Sequence, residues 1–200
     1  MQIRTPAVLV AARPHGETAV VARFLTADHG LVAGYVAGGR GRALRPVLIP
    51  GNRVDLQISA RSDSQLPFAK VELVASRAPF LDGALAAAAI GWLCALTASV
   101  LPERQAYPSL YPAFDAALDA VCHAPAARDW VGALLGYELL LLRELGYGGQ
   151  GARPEGDLAH LLALMDRQGP AIAHYLLADH RADVMAARAR LRELLGRMDQ

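Results

Sequence analysis

The eight residues Gly38-Gly39-Arg40-Gly41-Arg42-Ala43-Leu44-Arg45 carry the most distinctive chemistry in the chain. Three guanidiniums stand among glycines, whose missing side chains let a backbone come close to a ligand. An arginine fork matches phosphate oxygens in pairs and also stacks on bases, which an ammonium does not do. The pattern suits a polyanion such as nucleic acid, with a solvated hairpin loop as the plain alternative. Two acid and imidazole pairs, His15 with Glu17 and Asp28 with His29, have the residue types used for proton transfer. Both lie on turns beside Gly, where polar residues occur for backbone reasons alone. No nucleophile motif, P-loop or dinucleotide fingerprint accompanies them, so the chain reads as a non-enzyme. Cys94, Cys122, His123, His160, His174 and His180 are scattered at spacings that resemble no ligand set, and neither a metal nor another cofactor is expected. Glu138, amid apolar neighbours, reads as a structural carboxylate, either at a helix edge or buried against an arginine.

Charge is divided along the chain. Residues 1–77 hold ten basic against five acidic side chains, a balance of +5, while the remaining 123 hold ten and fourteen, a balance of −4. The first part is the one fitted to polyanions. If the three loop arginines each met one phosphate of a single strand, log K would fall with log salt at a slope of about −2, or roughly twentyfold for a fourfold rise in salt. Base stacking adds about 1 to 3 kcal/mol per base. Only Phe24, Tyr35 and Phe68 are available in this region, and some must fill the core. Binding is therefore expected to be mainly electrostatic and indifferent to sequence. Arg13 and Arg23 are further contact candidates.

These residues need elements to hold them. Of the 200 residues, 54% are apolar and 20% charged, which excludes a mainly disordered chain. From Ala7 to Ala75, β-branched runs alternate with Gly, Pro, Asp and Asn turns. Five strands are expected: 7–12, 18–26, 31–37, 53–60 and 68–74, with turns at 14–16, 28–30, 38–50 and 62–67. A long loop after the third strand suits a small closed barrel of the OB type, and an SH3-like barrel fits the strand count nearly as well. After Pro79 apolar residues recur at helical spacing. Leu85, Ala89, Trp92, Leu96 and Val100 line one helix; Leu110, Phe114, Leu118 and Val121 a second; Trp130, Leu134, Tyr137, Leu141 and Leu145 a third. Further helices are expected near 158–166, 171–177 and 182–198. The fold class is thus β then α: an OB-fold domain over 1–78 and an all-helical domain over 79–200. Gly83–Pro102 is uncharged for twenty residues, but its Ala-rich composition reads as a buried central helix instead of a membrane span. Two widely separated cysteines suit a reducing cytoplasm.

Gly16-Glu17-Thr18, Phe24-Leu25-Thr26-Ala27-Asp28-His29-Gly30-Leu31, Gly38-Gly39-Arg40, and Glu138-Leu139-Leu140-Leu141-Leu142 leading into Leu145-Gly146-Tyr147 occur here in fixed order. In that order and spacing the sequence resembles the RecO family of bacterial recombination mediators over nearly its whole length, more loosely beyond Gly156. The resemblance implies an N-terminal OB fold, a helical C-terminal domain and a non-enzymatic role in DNA repair by the RecF pathway. RecO-like proteins bind single-stranded and double-stranded DNA, anneal complementary strands coated with single-strand binding protein (SSB), and act with RecR to load RecA. By this likeness Arg40, Arg42 and Arg45 take the DNA-contact role, with Arg13 and Arg23 beside them, in a cytoplasmic, nucleoid-associated protein. The helical domain is expected to receive the acidic C-terminal tail of SSB in an apolar groove, with Arg128 and Arg143 as its basic rim. Many relatives carry four zinc-binding cysteines after the Leu-Gly-Tyr segment; Gly148-Gly149-Gln150-Gly151 stands here, so the chain resembles the zinc-free members and the segment reads as a shortened, flexible loop. An RNA-binding or ribosome-associated adaptor is the alternative, and a hydrolase using His15 and Glu17 a distant third.

Overall fold

The computed structural model describes residues 2–60, 65–148, 153–178 and 183–198. Chain contacts divide it into two units, Met1–Pro79 with Leu101–Tyr111, and Phe80–Val100 with Pro112–Gln200.

The first unit is built on strands β1 (Gln2–His15), β2 (Ala19–Thr26), β3 (Gly30–Val36), β4 (Arg53–Ser59) and β5 (Phe68–Ala75). They close in the order β1-β2-β3-β5-β4, the OB arrangement. β1 is long because it serves two partners: Gln2–Val8 pairs with β4, and Ala7–His15 pairs with β2 past an irregularity between Leu9 and Ala11. A bulge of this kind bends a strand so that one chain can border both flanks of a barrel. The expectation of a strand starting at Ala7 therefore missed its first turn of pairing, which depends on β4, some fifty residues away. Alternate side chains point inward as a strand requires, and Ala7, Leu9, Val20, Ala22, Phe24, Val32, Val36, Val54, Leu56, Ile58, Ala69 and Val71 make the barrel core.

Gly38 to Pro50 is the main departure from expectation. It is a wound cap, not an open loop: Gly41 N–H donates to Gly38 O (2.8 Å), Arg45 N–H to Gly41 O (3.0 Å) and Leu48 N–H to Leu44 O (2.9 Å). Leu48 joins the core, and Leu44 and Val47 pack against it. Asn52, fully buried, ties the cap down by donating from Nδ2 to Pro46 O (2.9 Å) and Val47 O (3.1 Å). Its Oδ1 accepts from Arg77 N–H at 2.8 Å, and the buried Arg77 guanidinium donates to Gly51 O. Residues 62–64 of the expected turn before β5 lie outside the described residues.

The second unit contains α1 (Ala84–Val100), α2 (Leu110–His123), α3 (Ala127–Glu144), α4 (Leu158–Ala171) and α5 (Asp183–Gly196). α1 is apolar on nearly every side, as suits a central helix, and no helix among the described residues is long and apolar enough to cross a membrane. α4 runs through Pro170 and passes into a π-helical turn, Ile172–Leu176, so the expected break near Asp166 is a widened turn instead. Proline lacks the N–H that would close the preceding turn, and the following wide turn re-seats Leu176 and Leu177, both buried.

Three helices meet at a buried ion pair. Glu138 on α3 accepts from Arg188 on α5 through both carboxylate oxygens (2.9 and 2.8 Å) and from Trp92 Nε1 on α1 at 2.8 Å. Arg188 also donates to Met165 O (2.9 Å) and lies 5.9 Å from the Trp92 ring centroid. Of the two readings of Glu138, burial against an arginine is the one observed. Nearby, Tyr137 and Thr97 share a 2.8 Å hydrogen bond, and burial pushes the Tyr137 hydroxyl well above the ordinary tyrosine range, keeping it neutral. A buried guanidinium deprived of its carboxylate is strongly unfavourable. Glu138→Gln should lower the stability of the helical unit by about 3 to 5 kcal/mol in urea unfolding followed by the emission of buried Trp92 and Trp130. A loss below about 1 kcal/mol, the range of an exposed pair, would refute that reading.

Candidate nucleic-acid interface and an apolar groove

The cap presents its arginines from a folded platform. Gly38 adopts φ +65°, a conformation natural to glycine, and a Cβ on Gly39 would come within 2.8 Å of Val20 Cβ and 3.0 Å of Leu48 Cδ1. These glycines thus serve the seating of the cap on the barrel, whereas the sequence suggested room for a ligand. Arg40 fastens the cap to the β1–β2 turn: its N–H donates to Thr18 O (3.0 Å) and its guanidinium to Gly16 O (3.1 Å). Arg45 donates to Arg40 O at 3.4 Å. All three arginines, Arg40, Arg42 and Arg45, are exposed, and Arg42 makes no hydrogen bond or ion pair among the described residues.

Arg13 stands on β1 two residues before His15 and so three before Gly16, whose carbonyl Arg40 contacts. It is exposed near the end of β1, opposite Val21, which in turn lies opposite Tyr35. Arg23 is half-buried and ion-paired to Glu103 at 2.9 Å, on the segment that returns to the barrel through Arg104 N–H to Leu31 O (2.8 Å). The structure therefore groups Arg40, Arg42 and Arg45 on the cap, leaves Arg13 open, and holds Arg23 against a carboxylate. Of the three barrel aromatics, Phe24 is core, Tyr35 is half-buried and Phe68 is 60% exposed. His15 packs against Tyr35 with ring centroids 5.9 Å apart and has no hydrogen bond to Glu17; His29 N–H donates to Thr26 Oγ1 (3.1 Å) and does not bond Asp28. Neither turn brings an acid to an imidazole.

In the helical unit a groove of about 280 Å³ runs between α2 and α3, lined by Ala113, Ala116, Ala117, Ala133, Gly136, Leu139 and Leu140, with Arg143 and Arg153 on it. Small side chains keep the helices from filling the gap. Gly132 serves differently: a Cβ there would stand 2.4 Å from Pro154 O, so its absence lets the 153–154 segment lie on α3 and sets Arg153 beside Gly136. Arg153 further donates to Asp129 O at 3.0 Å. Of the two arginines expected at a basic rim, Arg143 lines this groove, and Arg128 lies outside its lining with Nε 3.6 Å from Asp129 Oδ1. Arg153 was missed because it sits in a Gly-rich stretch with no periodicity. Residues 149–152, where the zinc-free loop was expected, lie outside the described residues, as does His180. No group of three or more metal-ligating side chains occurs among the described residues.

A five-stranded barrel in OB order bearing a basic cap, followed in the chain by a helical unit, places this protein among two-part β-then-α proteins with an OB fold. Residues 1–77 match the family described as recombination protein O N terminal, and residues 83–151 that described as recombination protein O C terminal. The DNA repair protein RecO of Ruegeria sp. (strain TM1040) is 42% identical over 149 residues, 74% of this chain and 61% of that protein. Those of Rhodospirillum centenum and Phenylobacterium zucineum are 41% and 38% identical over the same length, covering 58% and 60% of their chains. The chain belongs to the RecO family. It spans about three fifths of the length of these relatives, and the likeness covers 74% of it.

The seating of the cap makes a specific demand on Gly39. Gly39→Ala should destabilise the barrel by about 1 to 3 kcal/mol without removing a charge, because Val20 is β-branched and cannot swing aside. Urea unfolding followed by far-ultraviolet circular dichroism measures this, and an unchanged midpoint would contradict the packing described.

Proposed function

We propose that this chain acts in DNA repair as a recombination mediator, binding single-stranded and double-stranded DNA through the barrel over 1–78. The observation that supports this most is the cap, which displays Arg40, Arg42 and Arg45 in one exposed segment of a part of the chain with a balance of +5. Guanidiniums on a folded platform neutralise backbone phosphates without reading sequence, and Arg13 extends the basic surface. Arg23 contributes less directly, because Glu103 competes for it. Charge neutralisation and proximity then let two complementary strands pair. No step in this activity needs a bond to be made or broken by the protein, which accords with a non-enzymatic role.

The helical part, over 79–200, is proposed to recruit partners. An apolar groove rimmed by Arg143 and Arg153 has the chemistry to hold the acidic C-terminal tail of SSB. In this reading the protein anneals SSB-coated strands and acts with RecR to load RecA, in the cytoplasm on the nucleoid.

The test follows hybridisation of complementary SSB-coated oligonucleotides by energy transfer. The chain should accelerate pairing, and removal of the SSB tail or Arg143→Glu should reduce the effect. Replacing Arg40, Arg42 and Arg45 together with Ala should flatten the slope of log K against log salt for single-stranded DNA by about 2. No acceleration above the spontaneous rate overturns the proposal, and preferential binding of RNA of the same sequence would point to an RNA adaptor.

A further inference from the structure

The barrel carries a line of aromatic rings on its outer face that the electrostatic account leaves unused. Tyr35 and Phe68 are register partners across the β3–β5 seam, with ring centroids 5.4 Å apart at 79°, and His15 closes on the other side of Tyr35 at 5.9 Å and 85°. In both contacts the rings meet edge to face, so neighbouring faces are not stacked on one another and remain suited to another π-system. Phe68 is 60% exposed, an unfavourable placement for an isolated phenyl group in water, and Leu66 beside it is 43% exposed. The surroundings are basic: Arg13 lies in the same cross-strand row through Val21, and Arg40 donates to Gly16 O next to His15. Lys70, two residues along β5 from Phe68, is exposed and pairs with Glu72 at 3.4 Å.

We infer that His15, Tyr35 and Phe68 form a stacking subsite for the unpaired bases of a single strand whose phosphates follow Arg13 and the arginine cap. This rests on the nucleic-acid reading of the barrel and specifies what that reading leaves open, the preference for single strands. Rings stack on any base but reach only bases that are not paired. A duplex offers the cap its phosphates and offers Phe68 nothing. The row therefore separates two forms of DNA that the arginines alone treat alike.

Phe68 is the residue to test, because its side chain is exposed and its backbone pairing survives substitution. Affinities of the full chain for labelled oligothymidylate and for a duplex of equal length, measured by anisotropy, should diverge in Phe68→Ala. Single-strand binding falls roughly tenfold while duplex affinity and the salt slope stay unchanged. Phe68→Trp should restore the affinity, and its emission should be quenched by the oligonucleotide, since Trp92 and Trp130 are both buried. Equal loss on both DNA forms, no loss on either, or a Phe68→Trp emission that the oligonucleotide leaves unmoved would overturn the inference while the cap remains the binding site. Failure of the unaltered chain to bind either form is a different result, and it removes the nucleic-acid reading as well.

Discussion

The barrel depends on a seam that is closed at one point. The other neighbouring strands are joined by long antiparallel ladders, but β3 meets β5 in register at the single parallel pair Tyr35↔Phe68, beside the bond from Tyr35 N–H to Pro67 O at 2.7 Å. Such a short contact holds only if the two strands come close, and Gly34 is what allows this. A Cβ there would stand 2.6 Å from Ala69 Cβ and 3.0 Å from Ile58 Cδ1. The cap then finishes the work by placing Leu44, Val47 and Leu48 over the core. Closure and site are consequently one problem. The strands that must meet to shut the barrel bring Tyr35 and Phe68 together, and the cap that completes its packing carries the arginines.

The helical unit is organised around a different constraint. Its central helix has no polar face, so its position is specified by a few directional bonds among many apolar contacts. Trp92 and Arg188 converge on one carboxylate, and Tyr137 meets Thr97 one turn away. Apolar packing alone tolerates sliding of helices; a bidentate ion pair with a third donor does not. The groove between α2 and α3 has a different origin, since α2 takes no part in that network. Ala113, Ala116, Ala117 and Ala133 with Gly136 present too little side chain to fill the gap between the two helices.

Much of this was legible in the sequence because it follows from local rules. Strand alternation gave five strands within a few residues of those observed, and helical spacing gave Trp92, Phe114, Tyr137 and Leu141 as core, where all are buried. The failures have a common cause, which is that the deciding partner is remote. β1 begins five residues early because β4 pairs with it. Gly38–Pro50 looks like a loop because turn-forming glycines conceal Leu44, Val47 and Leu48, whose packing is decided by Val20 and the core. Arg128 and Arg143, which the sequence places at the two ends of the third helix, differ in that Arg143 lines the groove and Arg128 does not, while Arg153 reaches it from a stretch with no periodic signal. Phe24 and Phe68 are alike in type, and only strand register separates the core ring from the surface one.

That separation changes how the basic surface should be understood. Ion release makes phosphate binding fall steeply as salt rises, whereas stacking of bases on rings depends little on salt. Under the proposed assignment the arginines would dominate at low ionic strength and any polyanion would be held. As salt rises, the electrostatic share would shrink and the part carried by His15, Tyr35 and Phe68 would become decisive. The same surface would then pass from indiscriminate attraction to a preference for unpaired strands. Pairing of two strands would withdraw the bases from the rings and leave only the salt-weakened contacts, so the proposed order would favour release of a finished duplex.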